Sequence, residues 1–171
     1  MKILAIDPGL RWCGVAVGTG GTNGTLTACA LVKNTETKAR NGAAWGAMAH
    51  AVKAWADLHG PFNEIVCETP MQYQQGHHGG KRVDPDDILQ LQGVVGALSA
   101  LAGSPSLPMQ TIYPYAWKGQ LPKDVCFHRI KSRLAEKELA LLQGAPCAES
   151  LRHNIGDAVG IYLNAVGRFK K

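Results

Sequence analysis

The chain has 171 residues, 46% of them hydrophobic and 18% charged, with a formal net charge of +5. That is enough for one domain with a substantial core, and it excludes a disordered chain. The apolar runs fall far short of the roughly 20 residues that cross a bilayer, and no basic stretch leads into a long apolar segment with a small-residue cleavage site, so a cytoplasmic protein with no membrane partner is expected.

Residues 2–7, 12–19 and 25–33 read as three strands rich in Val, Ile, Leu, Thr and Ala. They are separated by "DPGL" and by "GTGGTNG", which predicts a meander of hairpins. The second glycine stretch lacks the Gly-Lys-Ser/Thr of a phosphate loop and reads as a turn. Over 37–59 the period changes: Trp45, Met48, Val52 and Trp55 recur at helical spacing. "EIVCETP", residues 64–70, is a short buried strand closed by Pro70. The stretch 71–83, "MQYQQGHHGGKRV", has no periodicity and three glycines, and reads as a loop.

A helix is expected from Asp84 or Pro85 to about Leu101, with Asp86 and Asp87 well placed in its first turn. Its face of Ile88, Leu91, Val94, Val95 and Leu98 is wider than one sheet contact needs, which suits a second subunit. "MQTIYPY", residues 109–115, is the fifth strand. One long helix is expected over 122–142, then a loop, "QGAPCAES", and a last helix over 150–166. Together these predict a single mixed α/β domain over 1–171, a five-stranded sheet flanked by helices. Cys13, Cys29, Cys67, Cys126 and Cys147 form no CxxC pair, so metal-ligand spacing is absent, and their odd number suits a reducing compartment. His77 and His78 lack the further ligands that a zinc site needs.

Three carboxylates stand in apolar settings: Asp7 at the end of the first strand, Glu68 at the end of "IVCE", and Asp157 in "RHNIGDAVGIYL". An unpaired charge in such a setting costs several kcal/mol by rough estimate, so each needs a cationic partner, or the three converge on a metal. If the first strand lies parallel to "EIVCE", the two strand ends bring Asp7 beside Glu68. On the last helix Asn154 and His153 precede Asp157 by three and four residues, so both share its face. Oxygen-rich sites of this kind suit Mg²⁺ or Mn²⁺, and two such ions roughly 4 Å apart can drive phosphodiester hydrolysis. A basic stretch, with Lys118, Lys123, Arg129, Lys131, Arg133 and Lys137, favours an anionic partner such as nucleic acid.

"ILAIDPGLRWCGVAV", "IVCETP" and "HNIGDAVGIYL", in this order, resemble the acidic motifs of the RuvC-like Holliday junction resolvases, the shorter phage and prophage forms above all. "PYAWKGQLPKDVCFHRI" is similar to that family's basic stretch. The resemblance implies a ribonuclease H-like fold and a homodimer that nicks two opposed strands of a four-way DNA junction, in a bacterial cell or a phage-infected host. It further implies two Mg²⁺ ions per site, with Mn²⁺ able to substitute.

Carried over by position, Asp7, Glu68 and Asp157 match the acidic ligands, while Lys118 and Lys123 match basic residues near the scissile phosphate. The family's fourth ligand, an Asp or His three residues before the last Asp, falls on Asn154. Either Asn154 ligates through its amide oxygen or His153 substitutes as ligand or base. In the 71–83 loop, Tyr73 could stack on an opened base while Lys81 and Arg82 hold phosphates. Two other readings remain: a ribonuclease H-fold nuclease for other branched DNA or RNA–DNA hybrid, and a non-catalytic junction binder. An actin-like phosphotransferase lacks its two phosphate-binding hairpins here.

Overall fold

Strand β1, Lys2–Asp7, sends alternate residues to opposite faces of a sheet that is covered on both sides. Ile3 and Ala5 join one buried cluster while Leu4 and Ile6 join the other. A strand buried on both faces reads as a continuous apolar run, which is why its sequence shows no alternation. The computed structural model describes residues 1–36, 41–71, 84–102 and 107–169. Strands β2, Trp12–Thr19, and β3, Leu26–Lys33, continue from β1 as an antiparallel meander. Strands β4, Glu64–Glu68, and β5, Met109–Ile112, add on the other side in parallel, giving the order β3-β2-β1-β4-β5.

Helices α1, Gly42–Asp57, and α2, Pro85–Ala102, cover one face, with Met48, Val52, Val94 and Leu98 against Leu4, Ile6 and Val15. The other face carries the short helix α3, Pro114–Trp117, then α4, Lys123–Arg133, α5, Glu136–Gly144, and α6, Arg152–Ala165. Their Trp117, Ile130, Leu142 and Ile161 pack with Ile3, Ala5 and Val66. Among the described residues no helix is long and apolar enough to cross a membrane, and all five cysteines are free thiols.

The expected elements are present, with four differences. The helix expected over 122–142 is two helices, because Leu134 and Ala135 are extended, at ψ 137° and 161°. Glu138 accounts for the break: its carboxylate accepts the Ala135 N–H at 2.7 Å and is also drawn into the protein by Leu26 N–H and Arg168. The fifth strand stops at Ile112, since Pro114 opens α3, where a missing N–H costs nothing. Helix α1 begins at Gly42, capped by Asn41, whose side chain accepts the Ala43 N–H at 3.0 Å. A 3-10 turn, Glu149–Leu151, precedes α6.

Candidate active site

The sheet's period of two decides where the first two acids point. Asp7 shares its face with Ile3 and Ala5, and Glu68 shares its face with Val66, the side covered by α6. Ile6 pairs with Cys67 in the parallel β1–β4 register, so one residue further on Asp7 and Glu68 end adjacent strands.

Two glycines let the third acid come close. Asp7 is paired with Gly14 across the β1–β2 ladder, and a Cβ on Gly14 would overlap the backbone carbonyl of Asn154. Helix α6 therefore rests its first turn directly on the sheet beside Asp7, with Asp157 one turn further along. A Cβ on Gly160 would overlap the Trp117 indole, so α3 also packs tightly on α6. That contact holds the next residue, Lys118, over the acids. The Lys118 ammonium is 3.4 Å from Glu68 Oε2 and 3.7 Å from Asp157 Oδ2. The Trp117 indole N–H donates to Glu68 Oε2 at 2.6 Å.

Three carboxylates thus face one close ammonium, and the acids bear the imbalance. Burial of the Asp7 carboxylate, then repulsion from Asp157 and Glu68, raises its pKa well above the usual range, against the weaker pull of Lys118 and Lys123. Burial raises Glu68 too, opposed by Lys118 and the Trp117 hydrogen bond. For Lys118, burial would lower the pKa, but Glu68, Asp157 and Asp7 outweigh it and raise it, so the ammonium stays charged. Among the described residues no three His, Cys, Asp or Glu side chains are drawn together tightly enough to grip an ion as they stand. Lys118 stands between two of them. The donor set nonetheless fits a hard divalent cation: it is all oxygen, and its negative charge is under-compensated.

The other sequence candidates divide. His153 lies on the first turn of α6, half-buried. Burial and then Lys123 lower its pKa, against Asp157 and a hydrogen bond to the Ser150 backbone, which leaves the imidazole neutral at neutral pH. Asn154 follows it and supplies the backbone contact to Gly14. Lys123 is the exposed first residue of α4 and acts on Asp7 and His153 through its charge. Arg129 lies instead over the Phe169 ring, 5.9 Å from its centroid. Tyr73, Lys81 and Arg82 lie outside the described residues.

Sequence reasoning missed the side chains that hold this site together. Trp117 was visible only as a neighbour of Lys118, and its indole bond to Glu68 spans 49 residues. Asn34, 1% exposed, clamps the turn after Asp7. Its Nδ2 donates to the carbonyls of Leu10 at 2.8 Å and Ala44 at 3.0 Å, while its backbone N–H donates to Arg11 O at 3.0 Å. Gln92 ties α2 to the end of β4 through Thr69 Oγ1 at 3.1 Å and the Pro70 carbonyl at 3.2 Å. A polar residue following a strand, such as Asn34, is the sole signal the sequence offers for these clamps.

A parallel β1–β4 pair extended by an antiparallel meander, with acids at the two strand ends and on the last helix, is the arrangement of the ribonuclease H-like fold. Yeast mitochondrial Holliday junction resolvase Ydc2 superimposes over 98% of this chain and 78% of its own, with a TM-score of 0.68 at 14% identity. The RuvC of T. thermophilus, solved in complex with a Holliday junction substrate, covers 95% of this chain and 90% of its own, with a TM-score of 0.57 at 19% identity. Among curated proteins, the crossover junction endodeoxyribonuclease RuvC of Saccharopolyspora erythraea is 31% identical over 106 residues, 61% of this chain. The match spans about half, 50%, of the length of that relative. No protein-family model matches the sequence. The chain is RuvC-like in fold.

Proposed function

We propose that the protein is one nuclease domain that resolves four-way DNA junctions by paired nicks in the cytoplasm, using divalent metal and acting as a homodimer. The observation that carries this reading is the under-compensated Asp7, half-buried beside Glu68 and Asp157 and flanked by Lys118 and the basic start of α4. The relatives' action on Holliday junctions supports the choice of substrate.

Asp7, Glu68 and Asp157 would hold Mg²⁺ or Mn²⁺, two ions per site, with Asn154 or His153 completing the set. The ions would supply Lewis-acid activation of water and charge neutralisation at the phosphate. Lys118, kept protonated by the acids, would exchange its carboxylate partners for a phosphate oxygen where cations neutralise the acids. Lys123 and Arg129 would extend the cationic surface, and Tyr73, Lys81 and Arg82 would contact the branch point. The dimer is supported by α2, where Leu89 is 66% exposed beside the half-buried Ile88 and Leu91. Sedimentation with and without DNA should give a dimer at micromolar concentration, and a monomer in both would remove that part of the reading.

The deciding assay compares labelled four-way junction, matched duplex and RNA–DNA hybrid, with and without Mg²⁺. Paired nicks near the branch point, dependent on metal, are the expected result. Faster cutting of hybrid would redirect the reading to another ribonuclease H-fold nuclease. A second reading, a junction binder without catalysis, draws on the neutral amide of Asn154 at a ligand position, and tight binding with no cutting would establish it.

Two variant series refine the roles. Lys118→Ala and Lys123→Ala should each weaken junction binding and flatten the plot of log K against log salt by about one unit, as loss of one phosphate contact requires. Unchanged slopes would make both lysines bystanders to DNA. If His153 is the fourth ligand or the base, His153→Ala should slow cutting by orders of magnitude. It should also erase an inflection in the pH profile lying below the usual histidine value of about 6.5. Asn154→Ala would then cost far less, and Asn154→Asp would raise the rate. The reverse order would assign the ligand to the amide.

A further inference from the structure

Both donors that reach the Glu68 carboxylate among the described residues fall on the same oxygen. The Trp117 indole N–H donates to Oε2 at 2.6 Å, and the Lys118 ammonium stands 3.4 Å from that atom. Each oxygen of an ionised carboxylate has about two lone-pair sites, so the two donors claim Oε2 and leave Oε1 as the oxygen that can take an ion. The donors differ in permanence. Lys118 is also drawn to Asp157, at 3.7 Å, and its flexible stem lets it follow a phosphate. Trp117 is 2% exposed; a Cβ on Gly160 would overlap its ring, and Phe169 meets it edge-on with centroids 5.3 Å apart. An indole packed in this way stays where it is, and its N–H can only donate. Its ring also lies 4.8 Å from Lys118 Nζ, so the ammonium keeps a cation–π partner when it leaves Oε2.

The nuclease chemistry above uses Glu68 as a ligand and gives Trp117 no part in choosing the ion. We propose that Trp117 is a positioning residue that makes Glu68 a one-oxygen ligand, and thereby favours Mg²⁺ over Ca²⁺ at the acids. This rests on the reading that the acids hold divalent metal. Mg²⁺ demands near-octahedral geometry and is bound through one or two carboxylates, keeping several waters. Ca²⁺ takes roughly six to eight oxygens and readily accepts both from one carboxylate. With Oε2 tied to a fixed indole, Glu68 suits the first ion and withholds an oxygen from the second. Loss of a hydrogen bond that orients a ligating carboxylate typically costs about 10- to 100-fold in affinity. Here the loss should fall unequally, on Mg²⁺ far more than on Ca²⁺.

The test uses the full chain without DNA, so that nothing is cut. Mn²⁺ is bound first, counted by the loss of its free-ion electron paramagnetic resonance signal, and then displaced by Mg²⁺ or by Ca²⁺. Asp7→Asn marks which of the bound Mn²⁺ belongs to the acids. One variant is Trp117→Phe. In the other, Trp117 is replaced by its benzothiophene isostere, which keeps the ring and exchanges only the N–H for sulfur. Both should improve Ca²⁺ relative to Mg²⁺ as a competitor by about tenfold, and if Trp117→Phe fails to fold the isostere decides alone. Loosened packing would weaken both ions alike, so a wild-type ratio in the isostere overturns the proposal. A shift in Trp117→Phe without one in the isostere overturns it too, because ring bulk rather than the N–H would then set the choice. If wild type binds no Mn²⁺ that Asp7→Asn loses, the metal reading falls and the proposal falls with it. Cutting of four-way junction in Mg²⁺ is scored separately. An unmoved ratio in a protein that cuts leaves the nuclease reading standing, and a shifted ratio in one that does not cut upholds the role of Trp117 and removes that reading alone.

Discussion

Asp7→Asn should abolish junction cutting, by on the order of a thousandfold or more, while the protein still folds and binds DNA. The same change should make the metal-free protein more stable. In the wild type the half-buried Asp7 carboxylate is partly desolvated and is repelled by Asp157 and Glu68, so its ionised form is disfavoured in the folded state. The sign follows from linkage: with a folded pKa above the unfolded value of about 3.9, the native state binds more protons in that window. Wild-type stability therefore falls as pH rises through the raised value, and the advantage of Asn is greatest above it. Thermal melts at neutral pH in EDTA should show the variant higher by a few degrees. Mg²⁺ should then raise the wild-type melting temperature and leave the variant nearly unmoved, because an ion bound only by the native state stabilises only a protein that binds it. A variant that cuts at the wild-type rate would remove Asp7 from the reaction.

Glu138→Ala should be the most damaging single change away from the acids. Glu138 is 2% exposed and takes both nitrogens of the Arg168 fork at 2.7 Å, along with the N–H groups of Leu26 and Ala135. Removing it leaves the half-buried guanidinium only the Gly24 and Arg133 carbonyls and strands two backbone donors, at a cost of about 3 kcal/mol, or roughly 10 °C in melting temperature for a chain of this size. Glu138→Gln keeps an acceptor and should lose less. Burial pushes the Glu138 pKa up, but the Arg168 and backbone hydrogen bonds outweigh it and lower the value. The stabilisation is thus complete above the ordinary glutamate pKa and disappears as pH falls through the depressed one. The gap between wild type and Glu138→Gln should be wide at neutral pH and close in acid. A gap independent of pH would mean that the charge is not what holds the junction of β3, α5 and Arg168.

How much of this the sequence discloses depends on the range of the interaction. Strands β1 to β4 and helix α2 are readable because their signals are local: apolar runs, turn glycines, and acids at a helix start. The acids Asp7, Glu68 and Asp157 are readable as a group because a carboxylate in an apolar run is anomalous wherever it occurs. The break at Leu134–Ala135 is not readable, since the helical pattern over 122–142 continues across it and the reason for it is Arg168, 30 residues from Glu138. Tertiary pairing overrides propensity there. The same holds for Trp117 on Glu68 and for Asn34 under the Leu10 turn, where one hydrogen bond between distant residues leaves no period to detect. Lys118 is the mixed case: its basic neighbourhood is plain in sequence, but its seat between two acids depends on Gly160 admitting the Trp117 ring.

The acids come from β1, β4 and α6, and this division has a consequence for the chain as it is being made. On the ribosome the sheet and its α1–α2 cover can form as soon as β5 has emerged, and at that stage Asp7 and Glu68 already stand side by side. The opposite face of the sheet is still bare, and the third carboxylate does not yet exist. Only when α6 docks, its first turn over Gly14 and its Gly160 against Trp117, do Asp157 and Lys118 close the pocket. A chain cut short before α6 therefore lacks one of the three acids, and the proposed site is completed in the same step that seals the core.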